Sequence, residues 1–384
     1  MNRPPPTRPR GLRHPASLAC LVALACTIAA PAALAAAAAV GPGHWRTVSR
    51  LRSGREIHAA ALLPDGRVLV TGGFGSSGFA TTAELFNPQT RTWAAASPMK
   101  VGRFTHTETL LPDGQVLVAG GANLESGYLT EAELYDPATD TWTPTDSMAQ
   151  GRANATATLL ANGKVLVAGG LANGSKALAS AELYDPATGH WTPAGRMKTG
   201  RYFHTATLLP DGKVLVTGGQ DFDGVFRKQA ELYDPDANTW ARAASMHVAR
   251  THQTATLLRD GRVLVAGGGD RAPGFTASTE IYDPAANKWT VAAPMRAKRG
   301  FASAVRLRNG LVLIVAGIND SGALRTAEIY DPKRKAWFPA ASMKGARLHQ
   351  TATLLASGAV LVAAGSRADG SVLATAELYA AHKG

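Results

Sequence analysis

One pattern of apolar and polar positions recurs along the chain from about residue 45 to its end. Each copy has a short run of alternating residues, a Pro-Asp-Gly-type turn, and an apolar Val-Leu-Val run that ends in a glycine doublet, as from His204 to Gly219. Alternation of this kind predicts a half-buried strand, and Asp-Gly supplies the turn of a hairpin. Each copy is therefore predicted to begin with a β-hairpin.

The second half of each copy predicts another hairpin. A loop of variable length leads into Ala-Glu-Leu-Tyr-Asp-Pro, as at Ala132 to Pro137, and a turn then leads to a tryptophan such as Trp142. Proline presets φ for a type I turn that the aspartate opens. Four short antiparallel strands are typical of one β-propeller blade. Because a lone blade would leave two apolar faces in water, the blades must stack into a closed ring.

An arginine opens each copy and sets the number of copies. The arginines recur every 48 or 49 residues, at Arg55, Arg103, Arg152, Arg201, Arg250, Arg299 and Arg347. Seven starts predict an all-β, seven-bladed propeller. The last copy stops at Tyr379 without the Asp-Pro turn, whereas Trp45 stands alone before the first arginine. Residues 45–51 are therefore predicted to complete the last blade and close the ring.

Residues 1–35 are predicted to be a secretory signal peptide. A basic segment precedes the apolar run Leu18 to Ala30, and small residues around Ala33 to Ala35 form a cleavage site. Cleavage would leave an alanine-rich linker over 36–44, the propeller over 45–384, and no membrane insertion. The alternative is an uncleaved signal anchor, because Leu18 to Val40 is almost long enough to span a bilayer. Either way, the propeller is predicted to be exported to the periplasm, the cell surface or the medium.

Cysteine content and charge narrow the possible chemistry. Both cysteines, Cys20 and Cys26, lie in the leader, so the cleaved chain can form neither a disulfide nor a thiolate metal site. The net charge is +12 at pH 7, and loss of four leader arginines leaves +8. A basic exported surface favours anionic partners. Nucleic acid is not expected, because the basic residues are spread evenly and do not cluster with aromatic residues.

The repeats resemble the Kelch family over essentially the whole chain after the leader. The family pattern of a glycine doublet, a tyrosine, six residues and a tryptophan stands here as Gly120-Gly121, Tyr135 and Trp142. Three positions depart from it: Phe86, Ala316 and Ala364. The resemblance implies that the arginine-bearing loops and the loops after the doublets surround the channel mouth on one face. It leaves function open, because the family contains binding modules and enzymes.

Two interpretations of the repeated arginines remain open. A ring of arginines around the mouth would bind an anion. Alternatively, each arginine pairs with the glutamate that stands two residues before the aromatic residue of strand three, because a buried carboxylate needs a cationic or hydrogen-bonded partner. These glutamates are Glu84, Glu133, Glu182, Glu231, Glu280, Glu328 and Glu377.

Positions that break the repeat are better candidates for function, because packing does not dictate them. Three residues after the arginines stand His58, His106, Ala155, His204, Gln253, Ala302 and Gln350. The histidines lack local metal-ligand spacing, so no metal site is predicted, and the alternative is that they only pack in a polar channel wall. The fourth and fifth copies combine aromatic, imidazole and amide groups beside cations, which suits a polyhydroxylated or acidic ligand. The predicted ligand-binding residues are Arg201, Tyr202, His204, Arg250, His252 and Gln253.

The sequence thus predicts a monomeric, exported binding module that uses one rim to bind a protein or an anionic or carbohydrate ligand. It predicts no catalytic residue and no cofactor. The alternative is a sugar-processing enzyme with its active site in the channel mouth, similar to the Kelch-type sialic acid epimerases. The resemblance also extends to galactose oxidase, whose copper-radical cofactor contains a crosslinked cysteine. That chemistry is not expected in a chain that loses both cysteines with its leader.

Overall fold

A computed structural model describes residues 41–76, 78–174, 176–270 and 274–381. The regular elements in these ranges are all β-strands, and no helix long and apolar enough to cross a membrane occurs among them. Seven four-stranded antiparallel sheets form the blades of a β-propeller, which confirms the predicted fold. The predicted signal peptide and most of the linker lie outside the described residues.

Each blade contains four strands, which are numbered here along the chain. The innermost strands are β2 (Ala59–Leu62), β8 (Thr107–Leu110), β14 (Thr156–Leu159), β20 (Thr205–Leu208), β24 (Thr254–Leu257), β28 (Ser303–Arg306) and β34 (Thr351–Leu354). The second strands are β3 (Val68–Thr71), β9 (Val116–Ala119), β15 (Val165–Ala168), β21 (Val214–Thr217), β25 (Val263–Ala266), β29 (Val312–Val315) and β35 (Val360–Ala363). The third strands are β6 (Ala83–Asn87), β12 (Ala132–Asp136), β18 (Ser180–Asp185), β22 (Ala230–Asp234), β26 (Thr279–Asp283), β32 (Ala327–Asp331) and β36 (Ala376–Ala380). The outer strands are β7 (Thr92–Ala96), β13 (Thr141–Thr145), β19 (His190–Arg196), β23 (Thr239–Ala243), β27 (Lys288–Ala292), β33 (Ala336–Ala340) and, in the last blade, β1 (His44–Thr47).

The N-terminal strand closes the ring. Strand β1 pairs antiparallel with β36, which sets Trp45 opposite Tyr379. The centroids of these two rings lie 5.2 Å apart, and the corresponding pair of blade 2, Tyr135 and Trp142, has a spacing of 5.0 Å. The innermost strands of blades 7 and 1 also contact each other. The prediction that the residues around Trp45 complete the last blade is confirmed.

The second strand of each blade is buried throughout, because both of its faces are covered by neighbouring blades, and it is apolar apart from Thr71 and Thr217. In blade 2, Val116 and Val118 pack with Leu69 of blade 1, whereas Leu117 packs with Val165 of blade 3. Full burial of one such side chain contributes about 1.5–3 kcal/mol. The ring therefore has an apolar layer between every two blades.

Every blade contains one buried Arg–Glu ion pair. The N–O distances are 2.6–3.0 Å in the pairs Arg55–Glu84, Arg103–Glu133, Arg152–Glu182, Arg201–Glu231, Arg250–Glu280, Arg299–Glu328 and Arg347–Glu377. In blade 2, Nη1 of Arg103 donates to the carbonyl oxygens of Gly120 and Glu131, at 2.7 and 2.8 Å. The second carboxylate oxygen of Glu133 accepts the backbone N–H of Lys100, in the connection from blade 1. The structural interpretation of the arginines is confirmed.

The glycine doublets mark the point where the next blade's arginine lies against the chain. Gly120 has a φ of +64°, and a Cβ there would lie 2.6 Å from the carbonyl oxygen of Arg152. The N–H of Gly121 donates to the same oxygen at 2.9 Å. Ala316 and Ala364, which replace the first glycine in the last two blades, keep positive φ values of 62° and 55°.

The propeller has two different faces. The turn face carries the hairpin turns that join strands one to two and three to four, and β1 begins there. The loop face carries the connections between blades and the loops after the doublets. Four of these loops form two-stranded ribbons that the sequence analysis did not predict: β4 (Phe74–Gly75) with β5 (Gly78–Phe79), β10 (Ala122–Asn123) with β11 (Gly127–Tyr128), β16 (Leu171–Ala172) with β17 (Lys176–Ala177), and β30 (Ile318–Asn319) with β31 (Gly322–Ala323).

We predict that Arg152→Ala lowers the free energy of unfolding by about 3–5 kcal/mol, because it leaves the carboxylate of Glu182 buried without its cation. Urea denaturation measures this change. Lys164→Ala is the matched control, since it removes an exposed 3.0 Å ion pair with Asp185 and should cost less than about 1 kcal/mol. Equal midpoints for the two variants would contradict a structural role for the buried pair.

Candidate binding face around the channel mouth

Seven residues with positive φ line the channel mouth on the loop face. They stand two positions after the arginines and are Ile57, Thr105, Asn154, Phe203, His252, Phe301 and His349, with φ between 53° and 56°. The N–H of Thr105 donates to the carbonyl oxygen of Ile57 at 3.1 Å, and the N–H of Asn154 donates to that of Thr105 at 3.1 Å. The same bond continues from blade to blade as far as Phe301. These seven residues, called the crown here, tie the blades together at the mouth.

Four of the seven crown residues have aromatic rings. The ring of His252 lies between Phe203 and Phe301, with centroids 3.8 Å from each, and Phe301 contacts the ring of His349 edge-on. Nδ1 of His349 is 2.8 Å from a carboxylate oxygen of Glu56. Burial, and secondarily the nearby His349, lower the pKa of His252 to about 3. At neutral pH the His252 ring is therefore uncharged and serves as part of an aromatic stack.

The polar residues three positions after the arginines bond to the preceding blade. Nε2 of His58 is 3.0 Å from Thr351 Oγ1 in blade 7, and Nε2 of His204 is 2.9 Å from Thr156 Oγ1 in blade 3. Gln253 donates to the backbone carbonyl of Thr217 at 2.9 Å. Burial lowers the pKa of both histidines to about 3, and the adjacent arginine of each blade adds to the effect. Inter-blade hydrogen bonds hold these side chains in the channel wall, which is the alternative that the sequence analysis left open for the histidines.

The structure brings the six predicted site residues together on blades 4 and 5 but leaves few of their polar atoms free. Arg201 and Arg250 are fully buried in their ion pairs. Tyr202 is 9% exposed, and its hydroxyl accepts a hydrogen bond from Gln220 at 2.7 Å. Tyr202 and His252 both stack on Phe203, which the predicted set omits. Ligand binding by Arg201, Tyr202, His204, Arg250, His252 and Gln253 stays a prediction.

Glu108 is a candidate that the sequence analysis missed. It lies on β8 at a position that is alanine in the other six innermost strands, so a comparison of the repeats could have found it. Its Oε2 is 2.5 Å from Thr71 Oγ1, which in turn is 2.9 Å from Nε2 of His106. Its Oε1 is shielded from solvent and has no hydrogen-bond partner among the described residues. Burial raises the pKa of Glu108 to about 8, so the carboxyl group is protonated at neutral pH.

The loops after the doublets present apolar side chains to solvent. Phe74 is 40% exposed, Leu124 85%, Phe222 51% and Val225 51%. Phe74 also contacts Phe79, which stacks on Phe104 with a centroid distance of 5.1 Å. These loop-tip residues, Phe74, Leu124, Phe222 and Val225, lie on blades 1, 2 and 4.

We predict that Glu108→Gln stabilises the fold increasingly as pH rises. Between the ordinary glutamate pKa of 4.5 and about 8, the unfolded chain releases the Glu108 proton while the folded chain keeps it, so rising pH destabilises the wild type. The variant carries no titrating carboxyl group at this position, so its stability relative to the wild type should rise by roughly 4 kcal/mol between pH 4.5 and pH 8. Urea unfolding across this range measures the gain. Glu125→Gln on an exposed loop is the control, and the same pH slope in all three proteins would contradict a buried neutral carboxyl group.

The described residues contain no group of three or more His, Cys, Asp or Glu side chains placed to hold a metal ion. The channel mouth offers stacked rings, inter-blade hydrogen bonds and one neutral carboxyl group, and the loops around it add exposed apolar tips and charged side chains.

Comparisons with known proteins identify the family. Residues 43–268 match the attractin/LZTR1 β-propeller family, and residues 250–296 and 301–344 match the Kelch motif. No curated protein sequence matches. Among solved structures, a fungal alcohol oxidase of the AA5 family in complex with copper is 20% identical, with a TM-score of 0.74 over 89% of this chain and 77% of that chain. The structure of YjhT is 19% identical, with a TM-score of 0.61 over 77% of this chain and 99% of that chain.

At these identities the two solved structures are evidence for a shared fold alone. The family matches extend through blades 1 to 6 and their Arg–Glu pairs. The chain is a Kelch-repeat propeller and belongs to the attractin/LZTR1 β-propeller family.

Proposed function

We propose that this chain is an exported, non-catalytic binding module whose loop face binds an apolar segment of a partner protein. Five large apolar side chains are strongly exposed among the described residues, and four of them are the loop-tip residues. The fifth, Val291, lies on the outer strand β27. Apolar side chains gathered on one face of a propeller are typical of a protein-interaction site. This concentration is the observation that carries the proposal.

The polar chemistry of the same face favours a protein over an anionic glycan. An anion site would need accessible cations, but the arginines are consumed by buried glutamates. The wall histidines His58 and His204 are neutral at physiological pH, because burial lowers their pKa to about 3. At the mouth itself apolar contact is what remains for a partner to use, whereas the exposed lysines of this face, such as Lys100, Lys198 and Lys344, lie in the inter-blade connections.

The loop-tip residues form two patches on either side of blade 3. Phe74 and Leu124 mark the patch on blades 1 and 2, where the rings of Phe79 and Phe104 support Phe74. Phe222 and Val225 mark the patch on blade 4. A partner segment that crosses blade 3 would contact both patches. A few buried apolar anchors of this kind carry most of the affinity in protein interfaces.

Selection of a displayed random-peptide library against the wild-type chain tests the proposal. Selected peptides should be apolar, and the Leu124→Ser and Phe222→Ser double variant should bind them at least about 10-fold more weakly, since loss of two anchors removes more than about 1.4 kcal/mol. Val291→Ser is the control, and it should keep the affinity because Val291 lies off the loop face. Melting temperatures of both variants should match that of the wild type.

Two results would contradict the proposal. In the first, the selected peptides bind the double variant as tightly as the wild type, which would move the site off the loop tips. In the second, an array of acidic and neutral glycans yields ligands whose affinity is unchanged in the double variant, while no peptide is selected. That result would favour the carbohydrate ligand that the sequence analysis also allowed.

One observation favours a second candidate, a sugar-processing enzyme. The row of His106, Thr71 and Glu108 combines a carboxyl group of raised pKa with two partners able to exchange protons. Enclosure of Glu108 Oε1 opposes this reading, since a substrate would have to reach a shielded atom. NMR of anomer exchange in free sugars, sialic acid included, distinguishes the two. Accelerated exchange that disappears in Glu108→Gln would establish the enzyme and overturn the binding module.

A further inference from the structure

The turn face carries a cluster of cations that the proposed loop-face function does not use. Blades 5 and 6 present Arg259, Lys288, Arg306, Arg308, Lys333 and Lys335, all of them exposed except at their hydrogen-bonded ends. These six residues are called the basic sector here. They come from the hairpin turns of two adjacent blades, so the fold places them side by side.

The turns of blades 5 and 6 hold three carboxylates, Asp260, Asp283 and Asp331, which offset only part of the positive charge of the basic sector. Asp260 pairs with Arg262 at 2.6 Å. Asp283 accepts the backbone N–H of Ala285 at 3.0 Å, and Asp331 accepts that of Lys333 at 2.9 Å. Asp260 stands in the Asp-Gly turn of its blade, and Asp283 and Asp331 stand in Asp-Pro turns, where the side chain bonds to the backbone of the turn. The lysines of the sector keep their charge for a partner.

The arginines of the basic sector are held in place by neutral groups. Arg306 donates to the backbone carbonyl of Leu257 in the preceding blade at 2.9 Å. Arg259 and Arg308 also donate to backbone carbonyls, those of Arg308 and Ala356 in the following blades. A carbonyl oxygen orients a guanidinium without cancelling its charge. The result is a fixed positive surface.

Other parts of the turn face have the opposite sign. In blades 2 to 4 the turns hold Asp113, Asp136, Asp140, Asp185, Asp211, Asp234 and Asp236 but only the lysines Lys164 and Lys213. Both lysines are paired, with Asp185 and Asp234. The turn face is thus basic on one side and acidic on the other. A flat polyanionic surface would meet the propeller on the basic side.

The chain enters the propeller on this same face. Strand β1 begins at His44, opposite Ala380, so the described chain starts at the turn face of blade 7, next to blade 6 of the basic sector. A groove of about 560 Å³ lies at the seam of blade 7 with blade 1, and its charged lining consists of His44, Arg46, Arg91 and the carboxylate of Asp65. Its two arginines extend the positive side of the turn face from blades 5 and 6 to the seam.

We propose that the basic sector and the adjoining seam groove form a docking surface for anionic phospholipid. The propeller would rest on a membrane through blades 5 to 7, with its acidic blades tilted away and the loop face free for a partner. Each Lys or Arg near an anionic membrane contributes about 1 kcal/mol, so the six cations suffice for reversible adsorption even after the three carboxylates of these turns offset part of their charge. This inference concerns the opposite face from the proposed function and does not depend on it.

Co-sedimentation with vesicles tests the docking surface. The chain from residue 41 is used because β1 and all seven blades lie within it. It should bind vesicles that contain phosphatidylglycerol, not those of phosphatidylcholine alone, and binding should weaken as salt rises from 0.05 to about 0.3 M. Replacing Lys288, Lys333 and Lys335 by Gln should weaken binding on the order of 100-fold.

A matched control changes the same charge on the other face. Lys100, Lys198 and Lys344 are exposed lysines of the inter-blade connections, and their triple Gln variant should bind vesicles like the wild type. Equal losses in the two triple variants would show a response to net charge alone and overturn the proposal. So would absence of binding to the anionic vesicles. A third result would also overturn the proposal: the wild type dimerises without lipid, and the triple variant at Lys288, Lys333 and Lys335 does not. The basic sector would then bind the acidic blades of a second copy.

Discussion

The buried Arg–Glu pair is the interaction on which the rest of the propeller depends. Each glutamate holds the arginine of its own blade with one oxygen and the connection from the preceding blade with the other, as Glu133 does with Arg103 and Lys100. The arginine then binds the carbonyl groups on both sides of the loop after the doublet. One ion pair thus fixes where a blade begins, where its loop leaves, and how it follows its neighbour. Removing either partner leaves a charge in a site without water.

This arrangement decides what the loop face can offer a ligand. The groups that would make the mouth an anion site, the arginines and histidines, are consumed in holding blades together. His204 illustrates the point: its Nε2 bonds to Thr156 of the preceding blade, and burial lowers its pKa to about 3. Affinity for a partner would therefore come from the apolar loop tips, whose side chains are exposed and contribute little to holding the blades together. The turn face differs, because its cations lie on exposed turns and remain charged.

Repetition made the fold predictable from the sequence. The arginine spacing gave the number of blades, and the isolated Trp45 gave the closing strand. The Arg–Glu pair was one of two interpretations of the repeated arginines that the sequence left open. The spacing showed that both residues recur, but it did not show that they contact each other. The crown, the hydrogen bonds of the wall histidines and the contacts among His106, Thr71 and Glu108 all join residues of neighbouring blades. His106 and Thr71 are 35 positions apart, and no local periodicity reports such a contact. Glu108 was detectable only as a break in the repeat, and its burial required the structure.

The charge state of the mouth histidines tests the central claim, that the polar groups of the mouth serve the ring and not a ligand. NMR of the imidazole rings of His58, His106, His204 and His252, followed from pH 8 to pH 5, measures it directly. The account predicts that all four remain neutral over this range in the folded protein, while the same histidines in urea titrate near the ordinary value of about 6.5. Titration of these four rings near that value in the folded protein would contradict it, because the mouth would then present cations to solvent and to ligands.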